Sequence, residues 1–169
     1  MSAGALDAPS VTRRKPVLLD ANLLLLLVMG SIDRAAVASF KRLSAFAPED
    51  FELLVEILRR SGPMVTTPNV LTEVSNLAGN LSGPIRERFF ARLAAQIERL
   101  DEHYVTSADA SRHPEFRRLG ITDVGIARFA EDRGEGGVVV LTVDLPLAVL
   151  LQRSGVEAHN FNHLRRWRR

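Results

Sequence analysis

Between Pro16 and Phe161 the chain alternates short apolar runs with longer segments of helical spacing, and this alternation constrains the fold more than any other feature. Val17 to Asp20, Met64 to Thr67, Val138 to Leu141 and Glu157 to Phe161 have strand length, and His103 to Thr106 reads as one more strand. Between them, Leu23 to Phe46 reads as helical. A helix opens at Pro48-Glu49-Asp50 and closes at Ser61-Gly62, and another runs from Pro68 to about Ala78. From Pro84, a stripe of Ile85, Phe89, Phe90, Leu93, Ile97 and Leu100 keeps helical spacing and predicts core packing. Ser107 to Leu119 is polar, with at most a short helical turn. Gly120 to Arg133 predicts a helix with Thr122 as its cap, and Pro146 opens the last helix, which ends at Gly155. Strand followed by helix throughout predicts an α/β domain with a parallel sheet and helices on both faces.

A chain of 169 residues has the length of one domain, and 46% hydrophobic with 25% charged residues is the composition of a folded chain. There is no cysteine, which excludes a disulfide framework, a zinc ribbon and thiolate catalysis and leaves metal, if any, to oxygen or imidazole ligands. The formal charge of +2 is unevenly spread, since Arg165-Arg166-Trp167-Arg168-Arg169 carries four of the 22 bases and no acid. Residues 1–15 read as a leader, 16–164 as the domain and 165–169 as a basic tail. Cations and one ring give that tail the means to contact nucleic-acid backbone and bases.

In a parallel sheet of this kind reactive groups collect at the carboxyl ends of the strands. Asp20 ends the first apolar run and Asp144 lies just beyond Val138 to Leu141. Glu73 is about one turn into the helix after the second strand, and Asp123 opens the helix before the fourth. Asp20 carries the most weight, because an aspartate set between Val17-Leu18-Leu19 and Leu23 to Leu27 must be paired or liganded. Four carboxylates at one sheet edge need a cation, and Mg²⁺ or Mn²⁺ answers best because hard cations take carboxylate oxygens and keep water ligands. Such a site suits phosphodiester hydrolysis.

Four segments in this order, Val17-Leu18-Leu19-Asp20-Ala21-Asn22, Thr67-Pro68-Asn69-Val70-Leu71-Thr72-Glu73-Val74, Gly120-Ile121-Thr122-Asp123 and Leu141-Thr142-Val143-Asp144-Leu145-Pro146-Leu147, resemble the motifs of PIN-domain nucleases. That family includes the VapC-like toxins of bacterial toxin-antitoxin pairs. The resemblance covers about residues 16 to 164, closing on Asn160-Phe161. It implies a three-layer α/β/α fold with five parallel strands in the order 3-2-1-4-5 and Mg²⁺- or Mn²⁺-dependent hydrolysis of RNA. Carried over by motif, Asp20, Glu73, Asp123 and Asp144 become the metal-binding and catalytic acids, with Asn22, Asn76 and Thr142 as polar groups that orient carboxylates or water. It implies a homodimer and a cognate antitoxin protein that masks the acidic crevice. The long helical segment Leu23 to Gly62 and the Ser107 to Leu119 stretch depart from a compact toxin. Arg112, Arg117 and Arg118 in that stretch, with Arg165, Arg166 and Trp167, are candidate RNA contacts.

Other readings are weaker. A haloacid-dehalogenase-like phosphatase needs a second aspartate where Asn22 stands, and Gly134 to Gly137 precedes a strand, where a phosphate loop precedes a helix. His159 and His163 lack a third ligand and read as surface residues. The non-enzyme alternative is a PIN-like module that binds RNA or protein without cutting. Arg13-Arg14-Lys15 before Val17 to Met29 mimics a secretory signal, but Asp20 and Asn22 interrupt its apolar core, and no run reaches the roughly 20 residues of a membrane span. The expected location is the cytoplasm, with no membrane contact.

Overall fold

Strands buried on both faces must pair with their own kind, and the first apolar run becomes the centre of the sheet. The computed structural model describes residues 14–167; most of the expected leader and the last two arginines lie outside the described residues. The strands are β1 (Val17–Leu19), β2 (Met64–Thr66), β3 (Asp101–Glu102), β4 (Val139–Thr142) and β5 (Glu157–Asn160). All pairings are parallel and the order is β3-β2-β1-β4-β5. Leu18 sits in register between Val65 of β2 and Val140 of β4, and Leu18 and Val140 are fully buried.

The connections supply helices α1 (Ala21–Ile32), α2 (Arg34–Ser39) and α3 (Pro48–Arg60) between β1 and β2, then α4 (Pro68–Leu77) and α5 (Gly83–Ile97) between β2 and β3. Beyond β3 come α6 (Ser107–Ser111), α7 (Phe116–Arg133), α8 (Leu145–Arg153) after β4, and α9 (Phe161–Arg166). α1 packs against α3, α4 and α5, while α7 packs against α6 and α8, so helices flank the sheet in three layers. Leu23, Leu25, Leu26 and Met29 of α1 are wholly buried, which accounts for a helix apolar nearly all round. No helix among the described residues is long and apolar enough to cross a membrane.

Several expectations need correction. The single helix from Leu23 to Phe46 is α1, α2 and a 3-10 turn over Lys41–Leu43. Asp33 breaks it, with extended backbone (φ −156°, ψ 112°) and a carboxylate accepting from the Ala35 amide at 2.9 Å, so the same residue ends α1 and caps α2. The third strand is Asp101–Glu102, not His103 to Thr106. Its register is set by pairing with Val65 and Thr66 rather than by apolar pattern, and both residues are exposed on the sheet edge, where charge discourages further pairing. In α5 only Phe89 and Leu93 of the predicted stripe are fully buried, and Ile97 is exposed.

α7 is two helical stretches that meet at Gly120 (φ 81°), a conformation open to glycine: the expected helix to Arg133 runs on from this kink, and a short stretch from Phe116, within the segment read as polar, precedes it. Among the described residues the side chain of Thr122 caps nothing.

The basic end is also more structured than a tail. Asn160 caps α9, whose last residues are Arg165 and Arg166. Arg165 donates to the Ala45 carbonyl at 2.6 Å and to Asp50 Oδ2 at 3.1 Å, and its guanidinium lies 5.3 Å from the centre of the Phe46 ring. With side-chain exposures of 20% and 5%, Arg165 and Asp50 form a half-buried pair that ties α9 to α3. Arg166 and Trp167 are exposed.

Removing Arg165 leaves Asp50 buried with the Ala47 amide as its one side-chain donor among the described residues. Arg165→Ala should lower unfolding stability by about 1–3 kcal/mol in urea titration. Arg166→Ala, at an exposed residue with no ion pair among the described residues, should stay within about 0.5 kcal/mol.

Candidate active site

The strand order reverses direction between β1 and β4, because the chain proceeds from β1 to one side of the sheet and crosses to β4 on the other. At such a switch point the connections leave the carboxyl ends in opposite directions and open a crevice. Asp20 follows β1 directly, and its amide donates to the Leu141 carbonyl at 3.0 Å, so its position is an extension of the sheet. Asp144 follows β4 after one residue.

Asp20 is 4% exposed and accepts three hydrogen bonds. Oδ1 takes the Leu23 amide at 2.8 Å, capping α1; Oδ2 takes the Thr142 hydroxyl at 2.6 Å and the Val143 amide at 2.7 Å. Burial pushes its carboxyl above the usual range against these three donors, and the Asp144 charge adds to the rise. Thr142 is fully buried, and its hydroxyl also accepts from the Asp144 amide at 2.9 Å. Asp144 Oδ1 accepts from the Leu147 amide at 2.8 Å, capping α8.

The other two acids come from helices. Thr67 caps α4, accepting from the Val70 amide, and Glu73 lies in the second turn. Asp123 lies in the first turn after the Gly120 kink. Neither side chain makes a hydrogen bond among the described residues, and none of the four acids forms an ion pair there. Burial, then the charges of Asp144, Asp20 and Glu73 in that order, pushes Asp123 up to about 7. The same three charges that raise Asp123 place all four acids in one electrostatic neighbourhood.

Oxygen ligands of this kind are those a hard divalent cation takes, and the unbalanced charge is what such a cation would offset. The carboxylates are not drawn into a closed set: among the described residues no three His, Asp or Glu side chains are grouped as metal ligands. Three of the four oxygens on Asp20 and Asp144 already accept from the protein: Asp20 Oδ2 takes two donors, which engage both its lone pairs, while Asp20 Oδ1 and Asp144 Oδ1 take one each and keep one.

Of the polar residues expected beside the acids, Thr142 bonds Asp20. Asn22 and Asn76 make no side-chain hydrogen bond among the described residues. Asn76 lines a cleft of about 210 Å³ between α4 and α7 with Asn69, Thr72, Glu73, Ile121 and Thr122. The sequence reading passes over Asn69 and Thr72 as site residues, although positions 69, 72, 73 and 76 share one helix face and are all polar. Among the candidate RNA contacts, Arg112 is paired with Asp109 and Arg118 with Glu115, while Arg117 is exposed and has no ion pair among the described residues. His159 pairs with Glu157, and His163 is exposed.

No protein-family model matches this chain, and a comparison with curated proteins finds no match.

Asp123 gives the metal-free protein a definite pH dependence. An aspartate at its ordinary value of 3.8 when unfolded and about 7 when folded binds more protons in the native state between those limits. Its contribution is therefore fully present below about pH 4 and is lost as pH rises through about 7. In chelator, Asp123→Asn should raise the melting temperature at pH 8 by about 3 °C or more and leave it nearly unchanged at pH 4. Thermal unfolding of both proteins from pH 4 to 8 checks this.

Proposed function

We propose that this protein is a metal-dependent ribonuclease that hydrolyses RNA phosphodiesters at the crevice between β1 and β4. The observation that carries the reading is the placement of Asp20 and Asp144 at the carboxyl ends of the adjacent strands β1 and β4, joined through Thr142, with burial and the charges of Asp144, Asp20 and Glu73 raising Asp123 beside them. Such a site favours binding of a cation that brings its own charge, and Asp20, Glu73, Asp123 and Asp144 would hold it. When bound, Mg²⁺ or Mn²⁺ would lower the pKa of an attacking water and offset charge developing on the phosphoryl oxygens. The chain's contribution is placement. Thr142 and the Leu23 and Val143 amides fix the Asp20 carboxylate, and the cap on α8 fixes that of Asp144. Glu73 and Asp123, without side-chain hydrogen bonds among the described residues, are the acids able to move toward a cation or a water.

RNA as the substrate rests on the PIN-domain resemblance of the four motif segments, which the sheet order 3-2-1-4-5 supports. A cognate antitoxin protein over the crevice and a homodimer are parts of the same reading. One observation favours a second reading, a PIN-like module that binds RNA or protein without cutting. The acids do not form a closed ligand set, and two of them already cap helices.

Incubation of labelled single-stranded RNA with the purified protein separates the two. The nuclease reading expects cleavage in Mg²⁺ or Mn²⁺, none in chelator, and a loss of at least about a hundredfold in Glu73→Gln and Asp123→Asn prepared identically. RNA bound but left intact in every metal would establish the binding module, and cleavage equal in all the variants would reveal a contaminant.

A further inference from the structure

We infer that the cleft between α4 and α7 seats one unpaired nucleobase of the RNA beside the acidic site, and that Asn69 and Asn76 read its edge. This rests on the ribonuclease reading above and adds to it the group that sets sequence preference.

The cleft adjoins the acids through Glu73, which forms part of its wall. Its other polar lining is neutral: the amides of Asn69 and Asn76 and the hydroxyls of Thr72 and Thr122. No lysine or arginine lines it, and a carboxylate in the wall repels phosphate, so the cleft suits an uncharged part of a nucleotide. About 210 Å³ is smaller than a typical pocket for a whole drug-sized ligand and suits a single ring system. Ile121 gives that ring an apolar surface.

The polar groups are unspent. None of Asn69, Thr72, Asn76 and Thr122 makes a side-chain hydrogen bond among the described residues, which sets them apart from Thr67, Thr142 and Asn160, each committed to a cap or a carboxylate. Asparagine and threonine are poor helix formers that usually recover the cost by bonding nearby backbone. Thr72 and Asn76 in α4, both exposed, bond no protein group among the described residues and are open to water or a ligand. A carboxamide presents a donor and an acceptor side by side, the pattern that matches a base edge in a bidentate pair. Sequence-specific recognition of RNA works chiefly through such contacts to unstacked bases. Asn69 lies close against α7, its amide nitrogen 3.5 Å from where a Cβ on Gly125 would stand.

The larger groove, about 630 Å³ between α3, α9 and the sheet, offers a contrast. Its rim charges are already engaged: Lys15 pairs with Glu157 at 2.7 Å, and Arg14 donates to the Arg59 carbonyl at 2.8 Å.

The test uses the full-length protein in two assays. Cleavage-site profiling on a randomised single-stranded RNA in Mg²⁺ reads base preference at each position around the cut. Fluorescence anisotropy with labelled A, C, G and U homo-oligomers, in Ca²⁺ in place of Mg²⁺, reads binding. The wild type should prefer one base at a single position next to the scissile bond. Asn69→Ala and Asn76→Ala should flatten that preference by about tenfold, mainly through KM, with Mn²⁺ binding by calorimetry and melting temperature unchanged. A wild type that cuts RNA with a profile both variants retain would overturn the base subsite and leave the ribonuclease reading standing. A wild type that neither cuts nor binds any RNA would overturn both.

Discussion

Asp20 is a carboxylate held within the most apolar stretch of the chain, and the arrangement around it joins the two halves of the sheet. One oxygen caps α1, which follows β1, while the other takes Thr142 and Val143 at the end of β4. A buried carboxylate without donors would cost more than a domain of this size could easily bear. The register of β4 beside β1 and the start of α1 are therefore constrained by the same side chain. Thr142 extends the constraint, because its hydroxyl donates to Asp20 and accepts the amide of Asp144, which in turn caps α8. Two acids, two helix starts and the switch point of the sheet are one hydrogen-bonded unit.

The same unit explains why much of this fold is legible in the residues. Val17-Leu18-Leu19-Asp20 and Leu141-Thr142-Val143-Asp144 combine a buried strand with a capping acid, and both signals are local. Pro68 and Pro146 mark first helical turns for equally local reasons. What pattern could not show depends on pairing across space. Asp101–Glu102 is a strand only because Val65 and Thr66 lie beside it. Asp33 divides a continuous apolar helix through a side-chain bond that competes with the backbone ladder. α9 keeps its place through Arg165, whose partner Asp50 is 115 residues away.

At the site, the distinction runs between identity and state. Two acids just beyond strand ends and two near helix starts are visible in the sequence, and the three neighbours that raise Asp123 are the other three. Which of them carry hydrogen bonds is not visible. Asp20 and Asp144 begin helices and accept from their free amides, whereas Glu73 lies in a second turn whose amides are already spent, and Asp123, though in a first turn, accepts from no amide among the described residues. The neutral lining of the cleft beside Glu73 escapes a reading that searches for charge, since amides and hydroxyls on a helix are the usual marks of a solvated surface.

In the proposed nuclease the two kinds of acid would divide the work that a hydrolytic site needs. Geometry must be rigid where a phosphodiester is to be oriented, and side chains held by packing and hydrogen bonds supply that rigidity. Asp20 and Asp144 are anchored to the sheet. Glu73 shares α4 with Asn69, Thr72 and Asn76, so a base held by those groups would stand in fixed relation to one of the acids proposed to act on the adjoining phosphate. Any displacement of α4 from the sheet would then shift the base and Glu73 together while leaving Asp20 and Asp144 in place. Selection of a sequence and alignment of the bond to be cut would depend on the setting of one ten-residue helix.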